Sequence, residues 1–252
     1  MGPAAVTTYD GQTEAVLARR WDLPRVIVRD RVSSTLDVIH EVAQHAGDDG
    51  TLVLADEQTA GRGRQGRRWH SAPGQGIWLG YLRRSLDGPA GGVLALRVGL
   101  AVAAGMDDLG LSVRLKWPND LIVLDRKLGG ILCEARWKGD QFGWVAIGLG
   151  LNITGPMPID LAAQAIAAED VIPGITRMTV LDRIVPALCG LTPAPELGPE
   201  ELRRYAERDW LRGRCLEAPI AGIVRGVDGD GALLVESAGG TKRVVGGSVV
   251  AV

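Results

Sequence analysis

Between Val113 and Ile153 four β-patterned stretches follow one another almost without interruption: VRLKW (113–117), DLIVL (120–124), KLGGILCEARW (127–137) and FGWVAIGLGLNI (142–153). Connections this short cannot return a chain to a parallel neighbour, which takes roughly a dozen residues, so the stretches are read as an antiparallel meander. Pro118, with no N–H for a ladder, ends the first strand, and Asp125-Arg126 supplies a turn before the third. A sheet of this kind needs covering layers. Further strands are predicted at 25–30, 51–56 and 76–84. Helices are predicted around Glu14–Trp21, from the Ser33-Ser34-Thr35 cap cluster to about His45, and over 89–109, which is apolar nearly all round and therefore buried. Three more helical stretches are expected near 160–169, 176–190 and 198–210. Beyond Arg214 short strands alternate with Gly/Asp turns, the rhythm of a small β-barrel. The expectation is an α+β fold: a mixed, largely antiparallel sheet with helices packed on it in a domain over 1–211, then a barrel domain over 212–252.

Composition removes several function classes. Hydrophobic residues make up 46% and charged residues 23%, the balance of a globular chain that buries a core. A formal net charge of −2 excludes a protein that works by general basicity, such as one that coats a polyanion. Cys133, Cys189 and Cys215 are too scattered for a disulfide framework, and with His40, His45 and His70 they form no metal-ligand spacing. No apolar run reaches the ~18 residues of a membrane span and no signal segment opens the chain, so a cytoplasmic location without a membrane partner is expected.

Chemistry concentrates in four segments. In GRGRQGRRW (61–69), Gly61, Gly63 and Gly66 alternate with Arg62, Arg64, Arg67 and Arg68 ahead of Trp69. Glycines allow backbone N–H groups to close on an anion while guanidinium groups clamp it; a solvated loop touching nucleic acid is the alternative. KWPND (116–120) places Lys116 beside Asn119 and Asp120, a carboxylate suited to Mg²⁺ with phosphate oxygens, or simply a turn. In KLGGI (127–131) a period of two puts Lys127, Gly129 and Ile131 on one face, leaving room for a ligand over the glycine. GLGLN (148–152) repeats the device with Gly148 and Gly150 and ends in Asn152. The chain has only the lysines 116, 127, 138 and 242, so two of them falling in these motifs favours a site over surface charge.

In this order and spacing the segments resemble the biotin protein ligases, from about Val28 to the C-terminus. The resemblance implies a class II synthetase-like biotin/lipoate ligase catalytic domain with an SH3-like C-terminal barrel. It implies synthesis of biotinyl-5′-AMP from biotin and ATP with Mg²⁺, then transfer of biotin to a lysine of a biotin carboxyl carrier domain of a carboxylase. Carried over by motif, biotin would meet Ser34, Thr35, Leu36, Gln58, Gly61, Arg62, Gly63, Arg64, Lys127, Gly129 and Gly130. ATP would meet Arg62, Arg64, Arg67, Trp69, Lys116, Asn119 and Asn152, with Asp120 on the metal and Lys127, Arg64 and Lys116 in the catalytic roles.

Two positions depart from the family pattern: Leu36 stands where Asn is common, and Gln65 where a basic residue is frequent. Only about 25 residues precede the first strand, too few for the winged-helix domain of the bifunctional members, so no DNA partner is expected. The rivals are a lipoate or octanoate ligase or transferase, whose usual Arg-Arg-x-Ser-Gly-Gly-Gly segment is absent here, and a nucleic-acid-binding regulator, which the near-neutral charge opposes.

Overall fold

The computed structural model describes residues 7–45, 47–84, 91–191 and 194–251. A small hairpin, β1 (Thr8–Tyr9) and β2 (Gln12–Thr13), leads into α1 (Glu14–Arg20), capped by Thr13. Then come β3 (Val26–Val32), α2 (Thr35–Gln44), β4 (Leu52–Gln58), β5 (Gly76–Arg83) and α3 (Gly91–Asp107). The meander follows as β6 (Arg114–Lys116), β7 (Asp120–Val123), β8 (Arg126–Lys138) and β9 (Gln141–Asn152). After α4 (Arg177–Cys189) and α5 (Pro199–Arg208) the chain ends in β10 (Cys215–Ala218), β11 (Gly222–Val227), β12 (Leu233–Ser237), β13 (Gly240–Val244) and β14 (Val250–Ala251).

The main sheet has the order β3-β4-β5-β9-β8-β7-β6, antiparallel throughout except β3–β4, whose parallel pairing is the crossover through α2. Alternation along the strands sorts its side chains into two layers. Ile27, Val53, Leu82 and Ala146 pack under α2, whereas Val26, Val28, Leu52 and Leu54 join the larger core with α1, α3 and α4. Helix α2 comes close to the sheet because β5 carries glycine beneath it: a Cβ on Gly80 would lie 2.8 Å from Ile39 Cγ1 and 3.0 Å from the Thr35 carbonyl. That contact sets the height of the α2 N-terminus.

Two expectations change, and part of a third is not tested. The turn before β8 lies at Leu124-Asp125, both at positive φ, as a tight two-residue hairpin turn requires. The 160–169 segment is not a helix. Lys127 N donates to Gln164 O at 2.7 Å and Ile166 N to Lys127 O at 3.1 Å, so its backbone bonds go to the start of β8, with only a short 3₁₀ turn at Ala168–Asp170. The first two residues predicted for α3, 89 and 90, lie outside the described residues. The tail, expected as a small β-barrel, forms a domain built on a five-stranded antiparallel sheet, ordered β13-β12-β11-β10-β14 around Leu216, Val224, Leu233 and Val235. Trp117 joins it to the meander, its Nε1 donating to Gly231 O at 2.9 Å. No described helix is long and apolar enough to cross a membrane.

Two buried ionisable groups tie the helices and the sheet edge together. Arg97 of α3 is almost fully buried, with Nε 2.6 Å from Glu201 Oε1 and its other nitrogens on the carbonyls of Ala194 and Glu196. Arg97→Ala leaves Glu201 and both carbonyls without their partner and should cost about 3–5 kcal/mol in urea-induced unfolding. Asp209 lies against β6 where the chain leaves α5; one carboxylate oxygen accepts from Leu211 N at 2.9 Å and the other is buried without a partner among the described residues. Burial pushes its carboxyl up to about 6. Because the folded-state value is raised, this group's contribution to stability is full below the ordinary carboxylate range and is lost as pH rises through about 6. Asp209→Asn should remove that slope from a plot of Tm against pH; an unchanged slope would assign it elsewhere.

Candidate active site

A cavity of about 530 Å³ lies among the α2 N-terminus, the arginine loop, the β6–β9 meander, residues 157–165 and a turn at 247–249 of the C-terminal sheet. One wall is neutral and polar. Ser34 caps α2, its Oγ accepting from Leu36 N at 3.3 Å. Thr35 donates from its backbone N (2.9 Å) and Oγ1 (3.2 Å) to Gln58 Oε1, and Gln58 Nε2 donates to Ser71 Oγ at 2.8 Å. These partners on both ends of the amide fix which way Gln58 faces. Leu36 contributes only carbon and packs under Gly148, where a Cβ would lie 3.1 Å away.

The loop folds back on itself. Gly63 N donates to Arg67 O at 2.7 Å and Trp69 N to Gly61 O at 2.8 Å, around a 3₁₀ turn at Arg64–Gly66 with Gln65 at φ 57°. Gly61 is required because a Cβ there would lie 2.7 Å from Trp69 O and 2.9 Å from Ser71 Oγ. Arg64 is half-buried; desolvation lowers its pKa, and the nearby Asp120 charge opposes that. Arg67 Nη2 donates to Ser248 Oγ at 2.9 Å, and Ser248 Oγ donates to Gln65 Oε1 at 3.0 Å, so the C-terminal sheet holds the loop tip.

The opposite end is cationic. Lys127 Nζ lies 2.5 Å from Asp120 Oδ1 and 5.3 Å from the Trp69 ring centroid. Beneath them Gly130 and Gly150 are register partners, and a Cβ on Gly150 would lie 2.5 Å from Trp69 Nε1. That indole nitrogen is buried with no hydrogen-bond partner among the described residues. The expected face of Lys127, Gly129 and Ile131 is broken by a register shift between Leu121 and Ile122, which pair with Gly129 and Lys127. The extra residue turns Gly129 towards Leu151, 2.5 Å from where its Cβ would lie, and makes Gly130 the neighbour of Lys127. Lys116 Nζ sits 4.9 Å over Trp210, whose Nε1 donates to Asp125 Oδ1 at 2.6 Å. Asn119 and Asn152 brace the walls: Asn119 Nδ2 donates to Ile131 O at 2.8 Å, and Asn152 Nδ2 to Lys127 O at 3.4 Å and Ile166 O at 3.3 Å.

Of the predicted site residues only Gly61 and Gly129 lie off the cavity lining, and both still shape it. Sequence reasoning missed Ser71, Trp210, Ser248 and the 157–165 segment. Ser71 follows Trp69 by two residues and could have been included with the loop; the others come from remote parts of the chain with no motif. Gly150→Ala should displace Trp69 and with it the face beside Lys127, at a cost of about 1–3 kcal/mol in urea-induced unfolding. Gly148→Ala, which meets only the side chain of Leu36, should cost less in the same measurement.

Residues 28–152 match the biotin/lipoate A/B protein ligase family, and residues 215–251 match the biotin protein ligase C-terminal domain. A bifunctional ligase/repressor BirA of Bacillus subtilis is 33% identical over 236 residues, spanning 87% of this chain and 71% of that protein. A biotin–[acetyl-CoA-carboxylase] ligase of Mycobacterium tuberculosis is 32% identical over 243 residues, spanning 89% and 87%. In fold the chain is similar to a biotin protein ligase from Aquifex aeolicus, solved in complex with biotin and ATP, with a TM-score of 0.70 at 23% identity over 90% of this chain and 97% of that one. With both catalytic and C-terminal segments matched and the cavity between them built as described, the chain belongs to the biotin/lipoate A/B protein ligase family, among its biotin protein ligases.

Proposed function

We propose that this chain activates the carboxylate of biotin with MgATP as biotinyl-5′-AMP and then passes the acyl group to a lysine of a biotin carboxyl carrier domain. The observation that carries this reading is the polarity gradient along one cavity: the fixed amide and hydroxyls of Gln58, Thr35 and Ser34 at one end, and Arg64, Lys116 and Lys127 at the other. A ureido head group has both N–H and C=O to offer such a wall. A dithiolane head would leave buried polar groups unpaired, which sites of this kind reject strongly. That supports biotin over lipoate.

In the first step a carboxylate oxygen attacks the α-phosphorus and the bond to pyrophosphate breaks, so two anions must be held in contact. Lys127 stands where it can meet the carboxylate and the α-phosphate, and Arg64 and Lys116 where they can meet the rest of the polyphosphate. Preset cations of this kind lower the barrier by neutralising charge as it shifts. Trp69 offers its ring and unpartnered indole N–H to the nucleotide. Asp120 would hold the Mg²⁺ that accompanies ATP, a single carboxylate beside phosphate oxygens being the donor set that ion takes. Until then the Asp120–Lys127 pair keeps both charges balanced. In the second step the carrier amine attacks the acyl carbon and AMP leaves. The loop held by Ser248 keeps water from the anhydride, with residues 1–211 forming the catalytic domain and 212–252 the one that supplies this tether.

Protein mixed with MgATP, radiolabelled biotin and a carrier domain should label the carrier; transfer of lipoate and not biotin would overturn the reading. Lys127→Ala should lower biotin-dependent pyrophosphate release by about 10²–10³-fold. Release near the wild-type rate would remove Lys127 from the reaction.

A further inference from the structure

Arg62 is held by two carboxylates in very different settings. Asp37, in the first turn of α2, meets Arg62 Nη1, and its side chain is 45% exposed. Glu134, on β8, meets Arg62 Nε at 3.5 Å and is 20% exposed. Behind Glu134 stands a directed chain of hydrogen bonds. An indole N–H can only donate, and Trp144 Nε1 donates to His40 Nδ1 at 2.9 Å. The proton of a neutral His40 therefore sits on Nε2, which donates to Glu134 Oε2 at 2.8 Å. Arg136 Nη2 approaches the same oxygen at 3.4 Å, which leaves Oε1 for Arg62. The His40 hydrogen bond foremost, then the Arg62 charge, hold the Glu134 carboxyl below the usual range. Asp37 is lowered as well: burial raises it, but the hydrogen bonds from Ser33 (2.6 Å) and Arg62 outweigh that. Neither carboxylate lines the cavity, whereas Arg62 does.

The two pairs differ in how readily they part. An ion pair with an exposed partner is worth little. Removing the counter-charge from a partly buried carboxylate that is already oriented by a histidine costs much more. We propose that Arg62 pivots: Glu134, set by His40 and Trp144, is a positioning residue that keeps the guanidinium at the cavity wall, and Asp37 is a placeholder that an incoming substrate anion displaces. The nature of that anion, a biotin carboxylate or an ATP phosphate, rests on the function proposed above; the pivot itself rests on the ligand-free contacts.

The signature is that two carboxylates on one arginine respond differently to loss of charge, the one weakening binding and the other not, which a merely structural role does not produce. By calorimetric titration, Glu134→Gln should weaken binding of biotin and of ATP by about tenfold. Asp37→Asn should leave it unchanged or tighten it severalfold, because a competitor for Arg62 is gone. His40→Ala should resemble Glu134→Gln, and His40→Gln, whose amide can donate to Glu134, should restore binding. In the ligand-free protein, amide hydrogen exchange over residues 61–69 should rise in Glu134→Gln and His40→Ala but not in Asp37→Asn. Equal weakening by both carboxylate variants, or exchange unmoved by Glu134→Gln, overturns the pivot. If the wild type binds no biotin while the exchange pattern holds, the pivot stands and the biotin reading fails.

Discussion

Helix α2 and the arginine loop lie against one face of the sheet because the strands beneath them carry glycine where they cross. Gly80 and Gly148 admit α2, and Gly150 admits the indole of Trp69. A Cβ at 2.5–2.8 Å from its neighbours, as at Gly150 and Gly80, cannot be absorbed without moving an element. The polar wall and the cationic end stand within reach of one small molecule because Gly80 and Gly150 leave α2 and Trp69 room to lie on the sheet. The high glycine content of the chain is in part a set of clearances.

On that platform the second constraint is charge. Arginines and two lysines converge on one cavity, and the protein has to balance them. It does so in part with carboxylates that a substrate can replace: Asp120 on Lys127, with a side chain 24% exposed, and Asp37 on Arg62, 45% exposed. Pairs of this kind are easily exchanged for a substrate anion. The better buried Glu134 lies off the cavity and serves the loop. The same logic separates Arg97 and Glu201, whose pair has no ligand to yield to and holds helices together.

Much of this was legible in the chain. The meander, the buried α3 and the small C-terminal sheet followed from period, turn chemistry and short connections. The motif-bearing segments were recognised by residue type, since clamping an anion requires arginine, glycine and lysine close in sequence. The failures share one cause. The face of Lys127 was misassigned because a bulge adds a residue that strict alternation does not anticipate. The 160–169 segment was read as a helix because its composition permits one, while the partner that takes its hydrogen bonds, Lys127, is remote in sequence. No motif points to His40, because Trp144 and Glu134 reach it only across the folded sheet.

By itself the sequence determined the family, the meander and which residue types its motif segments bring together, because local spacing dictates turn geometry, strand pairing and the donor set of a loop. Only the tertiary structure decided which charges face one another, which glycine lies under which ring, and that Ser248 closes on a loop more than 180 residues earlier. Those are matters of register and of long-range packing, and a one-residue shift in a strand reverses which face a side chain takes.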